Sequence, residues 1–293
     1  MAFNLFMPVT HQRPRLACEL TPDGVVAARL IDPEQTAASF APLFAGTLIP
    51  SLKTPNIIDQ AAIVAALKRA LDAVEARDKR LTLIVPDAAA RVLLLDFDTL
   101  PAKPAEALPI VRFRLRKLIP FEVDEAAVSY QIMQQSPTET RVLVTAMPNA
   151  VLAEYEEAVR LGGYEPGVVL TSTLGTLAAL MQPDPALLVN LNGNSVTTAI
   201  TRGDELLLHR SVELPVQETL REDELRHAVS VSVAYFEDTL AFVPDIIFYA
   251  GPGGAVELTR VLGLVQFRVR DLVSNGNAVP KGLVAAVTGA LAN

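Results

Sequence analysis

The sequence has little of the chemistry that most metal and disulfide sites need. Its 293 residues include one cysteine, Cys18, so neither an intramolecular disulfide nor a cysteine-based metal cluster can form. Only three histidines are present, and His11, His209 and His227 are too far apart for the paired spacing of a helical zinc site. We therefore expect no metal centre.

Signals of a catalytic nucleophile are also missing. The sequence has no Gly-x-Ser-x-Gly turn, and Cys18 lies in an apolar stretch with no base nearby. The glycine-rich segment Gly251–Gly254 lacks the glycine spacing of a dinucleotide-binding loop. We expect no catalytic residues of these kinds.

Basic residues are in the minority. Lysine and arginine number 25 against 33 aspartates and glutamates, a net charge of −8, whereas proteins that clamp nucleic acid present a basic surface. The N-terminus lacks the pattern of a signal peptide, and the longest charge-free run, Pro166–Pro183, is too polar to cross a bilayer. We expect a cytoplasmic protein that does not bind nucleic acid and that is peripheral to a membrane through partners.

The apolar pattern is duplicated. In the first half it predicts strands, then a helix capped by Asn56 or Asp59, then another strand; the strands are Arg15–Leu20, Gly24–Ile31, Phe44–Ile49 and Leu81–Val85. The second half repeats this order, with strands Ala186–Leu191, Ser195–Arg202 and Glu205–Val212, helix Val216–Ala241 and strand Asp245–Tyr249. Two copies of strand-strand-strand-helix-strand are the plan of the α/β, two-lobed, actin-like fold related to ribonuclease H.

A small α+β subdomain is predicted between the two copies, over residues 91–163. Its elements are strand Val92–Phe97, helix Pro104–Leu118, strands Ala127–Gln134 and Arg141–Met147, and helix Ala150–Leu161. The first lobe is predicted over 1–90, with 164–183 and a returning helix, Pro280–Ala292, and the second lobe over 184–275. The short linkers predict that the subdomain is packed on the first lobe.

The most distinctive motif lies in this subdomain. Residues 112–121 read Arg-Phe-Arg-Leu-Arg-Lys-Leu-Ile-Pro-Phe, and acidic residues and a Tyr130-Gln131 strand follow them. This motif resembles the signature of the PilM family of type IV pilus assembly proteins, and related cytoplasmic domains occur in type II secretion. The resemblance implies an actin-like fold with an extra subdomain, as in the division protein FtsA. It also implies that a groove between that subdomain and the first lobe receives the cytoplasmic N-terminal peptide of a PilN-like membrane partner.

The resemblance identifies the turns that would grip a nucleotide, and these turns are altered. Thr21 replaces a glycine after Glu19, Pro22 removes an N–H donor, and Asp23 adds a negative charge where phosphate would lie. In the second turn Asn190 stands where the family has aspartate, and the stretch between the lobes has Leu170 and Ser172 in place of an acidic pair. The residues of this degraded cleft are Glu19, Thr21, Asn190, Asn192, Ser195, Gly251, Gly253 and Gly254.

Hydrolysis by an actin-like ATPase needs a metal ion and a residue that positions water. With one acidic position retained, as Glu19, and three neutral, we expect no enzymatic activity and no cofactor. Weak binding of ATP or ADP stays open.

The basic helix of the subdomain is a candidate partner-binding surface. Arg112 and Arg116 lie four residues apart. The neighbouring apolar residues are either core of the subdomain or, as the resemblance implies for exposed members, lining of the partner groove; they are Phe113, Ile119 and Phe121. The arginines could dock an acidic peptide or anionic lipid headgroups, or they could pair with the acidic residues just downstream, Glu122, Asp124 and Glu125.

The expected function is that of a non-catalytic scaffold peripheral to the inner membrane, in a type IV pilus or related secretion platform. An actin-like ATPase that switches or polymerises is the alternative, and an adapter outside pili would share the same residues. The sequence leaves homo-oligomer formation open.

Overall fold

The computed structural model describes residues 14–32, 35–180, 182–263, 267–273, 279–280 and 282–292. His11, in the N-terminal segment, lies outside the described residues. The strands are β1 (Leu16–Thr21), β2 (Gly24–Asp32), β3 (Gln35–Pro42), β4 (Arg80–Val85), β5 (Arg91–Phe97), β6 (Ala126–Gln135), β7 (Thr140–Pro148), β8 (Glu165–Thr171), β9 (Ala186–Asn192), β10 (Ser195–Arg202), β11 (Glu205–Glu213), β12 (Ile246–Ala250) and β13 (Arg268–Asp271). The helices are α1 (Gln60–Ala73), α2 (Pro104–Leu115), α3 (Asn149–Leu161), α4 (Ser172–Ala178), α5 (Glu218–Leu240), α6 (Gly254–Leu262) and α7 (Ala285–Leu291).

The first lobe is a five-stranded sheet in the order β3-β2-β1-β4-β8. Strand β1 is buried along its whole length, as expected for a central strand covered on both faces. Helix α1 covers one face with Ile63, Leu67 and Leu71, and it begins where Asp59 accepts a hydrogen bond from the Ala62 amide. The last helix, α7, covers the other face through Val287 and Leu291.

The second lobe repeats the first. Its sheet has the order β11-β10-β9-β12-β13, the same arrangement of three antiparallel strands followed by two parallel ones. Helix α5 packs on it through Leu225, Val229 and Phe236. The predicted duplication and the α/β, two-lobed, actin-like fold are confirmed.

The segment between the copies packs on both lobes. Its sheet, in the order β5-β7-β6, is covered on one face by Val111 and Leu115 of α2. Towards the second lobe, Val92 and Leu143 of the inserted sheet pack in one hydrophobic cluster with Leu188 of β9. Helix α3 contributes to the first-lobe core. The expected packing on the first lobe is therefore only part of the arrangement.

The third predicted strand, Phe44–Ile49, is wrong. The third strand of the sheet, which pairs with β2 on the side away from β1, is β3, and its alanines give little hydrophobic pattern. Residues 44–49 form a loop that turns at Gly46, where φ is +84°. The predicted helix Pro280–Ala292 is shorter, because regular helix begins only at Ala285. Strands β8 and β13 and helices α4 and α6 were not predicted.

Candidate functional site

The cleft between the lobes is built from the carboxyl ends of parallel strands. Glu19 lies in β1, and Asp87 follows the neighbouring strand β4 in a short 3₁₀ turn, so both carboxyl groups reach the same edge of the first-lobe sheet. Asn190 and Asn192 reach the cleft from β9 of the second lobe. Helix α4, which begins at Ser172, lies between them. All four of these cleft side chains are buried.

Glu19 joins the two lobes through its carboxyl group. Its Oε1 accepts hydrogen bonds from Ser172 Oγ at 2.6 Å and from Asn192 Nδ2 at 2.8 Å. The pKa of Glu19 is raised from 4.5 to about 8, chiefly by burial and also by the nearby Asp87 carboxyl group. The hydrogen bonds from Ser172 and Asn192 offset only part of that rise. The Glu19 carboxyl group is therefore largely neutral at pH 7.

Asp87 is a second buried carboxyl group in the cleft, and the sequence analysis missed it. Its Oδ1 accepts from the Thr173 amide at 3.0 Å, while its Oδ2 accepts from the hydroxyls of Thr173 at 2.5 Å and Thr197 at 3.0 Å. The side-chain amide of Asn190 lies within hydrogen-bond distance of both hydroxyls on α4, 3.1 Å from Ser172 Oγ and 2.9 Å from Thr173 Oγ1. The sequence signal that could have revealed Asp87 is an acidic residue just after the apolar strand β4.

The cleft is closed by direct contact between its two turns. A Cβ atom on Gly193, which follows β9, would lie 2.5 Å from Pro22 Cγ, so the turns that would flank a phosphate chain touch each other. The backbone at Gly282 likewise packs against Gly251, in the glycine-rich segment that follows β12. The remaining cavity, lined by Glu19, Thr21, Asn190 and Asn192 among others, measures about 20 Å³. That is room for about one water molecule.

The other predicted cleft residues serve the turns themselves. Thr21 Oγ1 donates to the Gly24 carbonyl at 2.8 Å, and Ser195 Oγ donates to the Asn192 carbonyl at 3.1 Å. Gly253 and Gly254 begin α6, where Asp271 accepts from the Ala255 amide at 2.6 Å. Asp271 thus places a carboxylate at the helix start that would face a nucleoside or its phosphates. The residues present do not fit a magnesium nucleotide, because space is lacking and the phosphate side presents Pro22 and neutral or acidic groups.

A separate groove lies between the first lobe and the inserted sheet. Two edge strands form its sides, β8 of the first-lobe sheet and β6 of the inserted sheet. Its volume is about 150 Å³, and its lining is mostly apolar, with Thr145, Thr171 and Ser129 as the polar members. The lining residues are Val85, Ala90, Ala127, Val128, Ser129, Thr145, Met147, Leu152, Val169, Leu170 and Thr171. Thr171 Oγ1 is buried and has no hydrogen-bond partner in the described residues.

The predicted partner-binding residues lie elsewhere on the inserted segment. Arg112 donates to the carbonyls of Val123 and Ala126 at 2.5 and 3.0 Å, and Arg116 pairs with Asp124 at 3.5 Å. The contact between Arg116 and Asp124 is the local pairing that the sequence left as one alternative, whereas Arg112 binds backbone carbonyls in place of the acidic side chains. Ile119 is buried in the core under α2, and Phe121 packs against that core. Phe113 is 70% exposed, and with Arg112 and Arg116 it borders a recess on α2 that is distinct from the groove.

The described ranges also bear on membrane-spanning helices and metal sites. No helix there is long and apolar enough to span a membrane. No group of three or more His, Cys, Asp or Glu side chains in the same ranges comes close enough to hold a metal ion.

Comparison with known proteins bears on the fold. No protein-family model matches the sequence, and no curated protein matches it. Among solved structures, the chain is similar to the PilM-PilN type IV pilus biogenesis complex, with 18% identity and a TM-score of 0.75 over 95% of this chain and 98% of that chain. It is also similar to the cytoplasmic domain of EpsL, an inner-membrane component of the type II secretion system of Vibrio cholerae, with 11% identity and a TM-score of 0.55 over 95% and 94% of the two chains.

A third similar structure comes from Bacteroides thetaiotaomicron and is described as a protein with an actin-like ATPase fold and unknown function. Its identity is 13% and its TM-score 0.53, over 94% of each chain. At these identities the likeness concerns the fold. The predicted resemblance to PilM is confirmed at that level, since nearly the whole of both chains superimposes, and the chain has the actin-like fold.

Proposed function

We propose that the chain is a non-catalytic component of the inner-membrane platform of a type IV pilus or related secretion machine. Its task there is to hold a short cytoplasmic segment of a PilN-like membrane protein. The whole-chain similarity to the PilM protein of a PilM-PilN complex supports this assignment, as does the weaker similarity to a secretion-system domain. The observation that carries the proposal is the apolar groove between the two edge strands β6 and β8.

The groove suits an extended peptide. An edge strand offers backbone N–H and C=O groups that can pair with an added strand, and the adjacent apolar lining selects side chains by shape. Main-chain pairing would provide affinity, and the Val128, Val169 and Leu170 surface would provide selectivity.

The closed cleft supports the non-catalytic part of the proposal. Phosphoryl transfer needs charged groups and a metal ion around the triphosphate. Here the cavity holds about one water molecule, and Glu19 is largely neutral at pH 7. Asp87 is engaged by three donors from Thr173 and Thr197, so its oxygens serve the link between the lobes.

The groove can be tested with a labelled peptide. The probe is the cytoplasmic N-terminal peptide of the PilN-like protein from the same organism, and its binding to the full chain is followed by fluorescence anisotropy. Ser129→Trp places a large ring in the groove from an exposed position of β6 and should weaken binding at least tenfold, about 1.4 kcal/mol.

Gln134→Trp is the matched control. It is exposed on the same strand and lies outside the groove lining, so it should leave affinity unchanged. Equal affinities for the native chain and Ser129→Trp would contradict the groove assignment, and no binding of the peptide to the native chain would contradict the partner assignment.

A further inference from the structure

One face of α2 combines exposed apolar and basic side chains. Ile110, Phe113, Arg114 and Lys117 stand at positions i, i+3, i+4 and i+7, so they share one side of the helix and of the turn that follows it. Phe113 is 70% exposed and Ile110 is 40% exposed. Leu118, just beyond the helix, adds a third apolar side chain that is 46% exposed. We refer to these five residues as the α2 face.

The charged side chains beside the α2 face are already engaged by other groups of the chain. Arg112 and Arg116, on the other side of the helix, are bound to backbone carbonyls and to Asp124. Glu106, one turn before Ile110, pairs with Lys103 at 3.2 Å. Within the described part of the chain, Arg114 and Lys117 make no ion pair. The α2 face therefore presents two uncompensated cations on a chain whose net charge is −8.

We propose that the α2 face docks on an anionic membrane surface. A helix that lies on a bilayer buries apolar side chains among the acyl chains while lysine and arginine contact the headgroups, and the α2 face has both kinds of side chain. The two cations of the α2 face are attracted by an anionic surface. Without them, such a surface would repel a chain whose net charge is negative. The exposed phenyl ring at the centre of the α2 face would insert first.

A bilayer fits this surface better than an acidic peptide does. In the recess next to Phe113, Arg116 is paired with Asp124 and Arg112 donates to two backbone carbonyls, so the recess has few free donors for an acidic chain. The uncompensated cations stand instead on the outer side of the helix, beside three apolar side chains. The proposal is independent of the peptide groove, which lies between β6 and β8.

Vesicle co-sedimentation of the full chain tests the proposal. The chain should bind vesicles of equal parts phosphatidylglycerol and phosphatidylcholine at low salt. It should not bind pure phosphatidylcholine. About 1 M NaCl should release it from anionic vesicles, because charges more than about 3 Å apart are then largely screened from each other. The double variant Arg114→Gln/Lys117→Gln should bind about 25-fold more weakly, at about fivefold for each cation. Phe113→Ser should weaken binding about tenfold.

Matched variants on other surfaces provide the controls. Lys68→Gln/Arg69→Gln removes two exposed cations from α1, and Val256→Ser removes a 76% exposed apolar side chain from α6. Both should bind vesicles like the native chain. Circular dichroism and thermal unfolding establish that each variant is folded.

Two results would overturn the proposal: no binding of the native chain to anionic vesicles, or equal losses in the α2-face and control variants. If vesicle binding were absent and the α2-face variants changed the sedimentation mass of the chain, the α2 face would belong to a contact between two copies.

Discussion

At the scale of single residues, two buried carboxyl groups join the lobes across the cleft. Glu19 and Asp87 are buried carboxyl groups from the first lobe, and each accepts hydrogen bonds from the second lobe, through Asn192 and Thr197. Burial keeps the proton on Glu19 up to about pH 8, so the link that it forms does not require a buried negative charge at neutral pH. The same chemistry makes the stability of the protein depend on pH.

Ionisation of the Glu19 side chain should lower the free energy of unfolding as the pH rises. Its pKa is near 4.5 in the unfolded chain and about 8 in the folded one, so the folded state binds the extra proton between those values. The contribution of Glu19 to the free energy of unfolding is therefore complete below about pH 4.5 and falls through the window up to about pH 8. Glu19→Gln cannot ionise and should remove this fall.

Urea unfolding from pH 5 to pH 9 measures the effect. The two proteins should have similar unfolding free energies at pH 5, because Gln and protonated Glu offer Ser172 and Asn192 the same acceptor. At pH 9 the variant should be the more stable by a few kcal/mol. A difference between the two proteins that did not change with pH would show that Glu19 keeps an ordinary pKa.

At the scale of elements, the contact between α4 and α7 ties the returning C-terminal segment to the middle of the chain. A Cβ atom on Gly289 of α7 would collide with the Gly175 carbonyl oxygen and lie 2.7 Å from the Ala179 nitrogen. Both obstacles are backbone atoms, which cannot move aside as a flexible side chain can. The glycine at this position is therefore required by the close approach of two helices.

Gly289→Ala should destabilise the protein. Helix propensity alone favours alanine by about 1 kcal/mol, but the collision should outweigh that gain and leave a net loss of about 1–3 kcal/mol. The free energy of unfolding in urea measures the sign directly. Thr288→Ala, a half-buried neighbour on the same helix, should change it by less than about 0.5 kcal/mol. A stabilised Gly289→Ala protein would mean that the helices lie farther apart.

The elements that the sequence predicted are those with strong patterns. The apolar strands β1, β4, β9 and β10 and the long helix α5 match the predictions within a few residues. The failures have local causes, since β3 is rich in alanine and α7 is too short to show a helical period. Strand β8 carries Pro166 and Gly167, which read as loop residues although the strand lies at a sheet edge, where both are tolerated.

At the scale of the whole molecule, the two lobes and the inserted segment form one packed unit. Hydrogen bonds cross the cleft, the inserted sheet packs on the second-lobe sheet, and Arg141 of β7 lies 3.8 Å from Glu205 of β11. The cleft residues were predicted through the resemblance to PilM, which identifies the turns that would grip a nucleotide in each copy of the duplicated pattern. The sequence did not predict the closure of the cleft, which depends on Pro22 meeting Gly193 across the interface between lobes.

Because the cleft is closed, we expect that the chain does not bind a magnesium nucleotide. Titration of the full chain with a fluorescent ATP analogue and Mg²⁺, with phosphate release followed in parallel, measures whether the space between the lobes opens to admit one. We expect no saturable binding below about 1 mM, a free energy of about −4 kcal/mol, and no phosphate release. Saturable binding at micromolar concentration, accompanied by release of phosphate, would contradict the assignment of the chain as a non-catalytic scaffold.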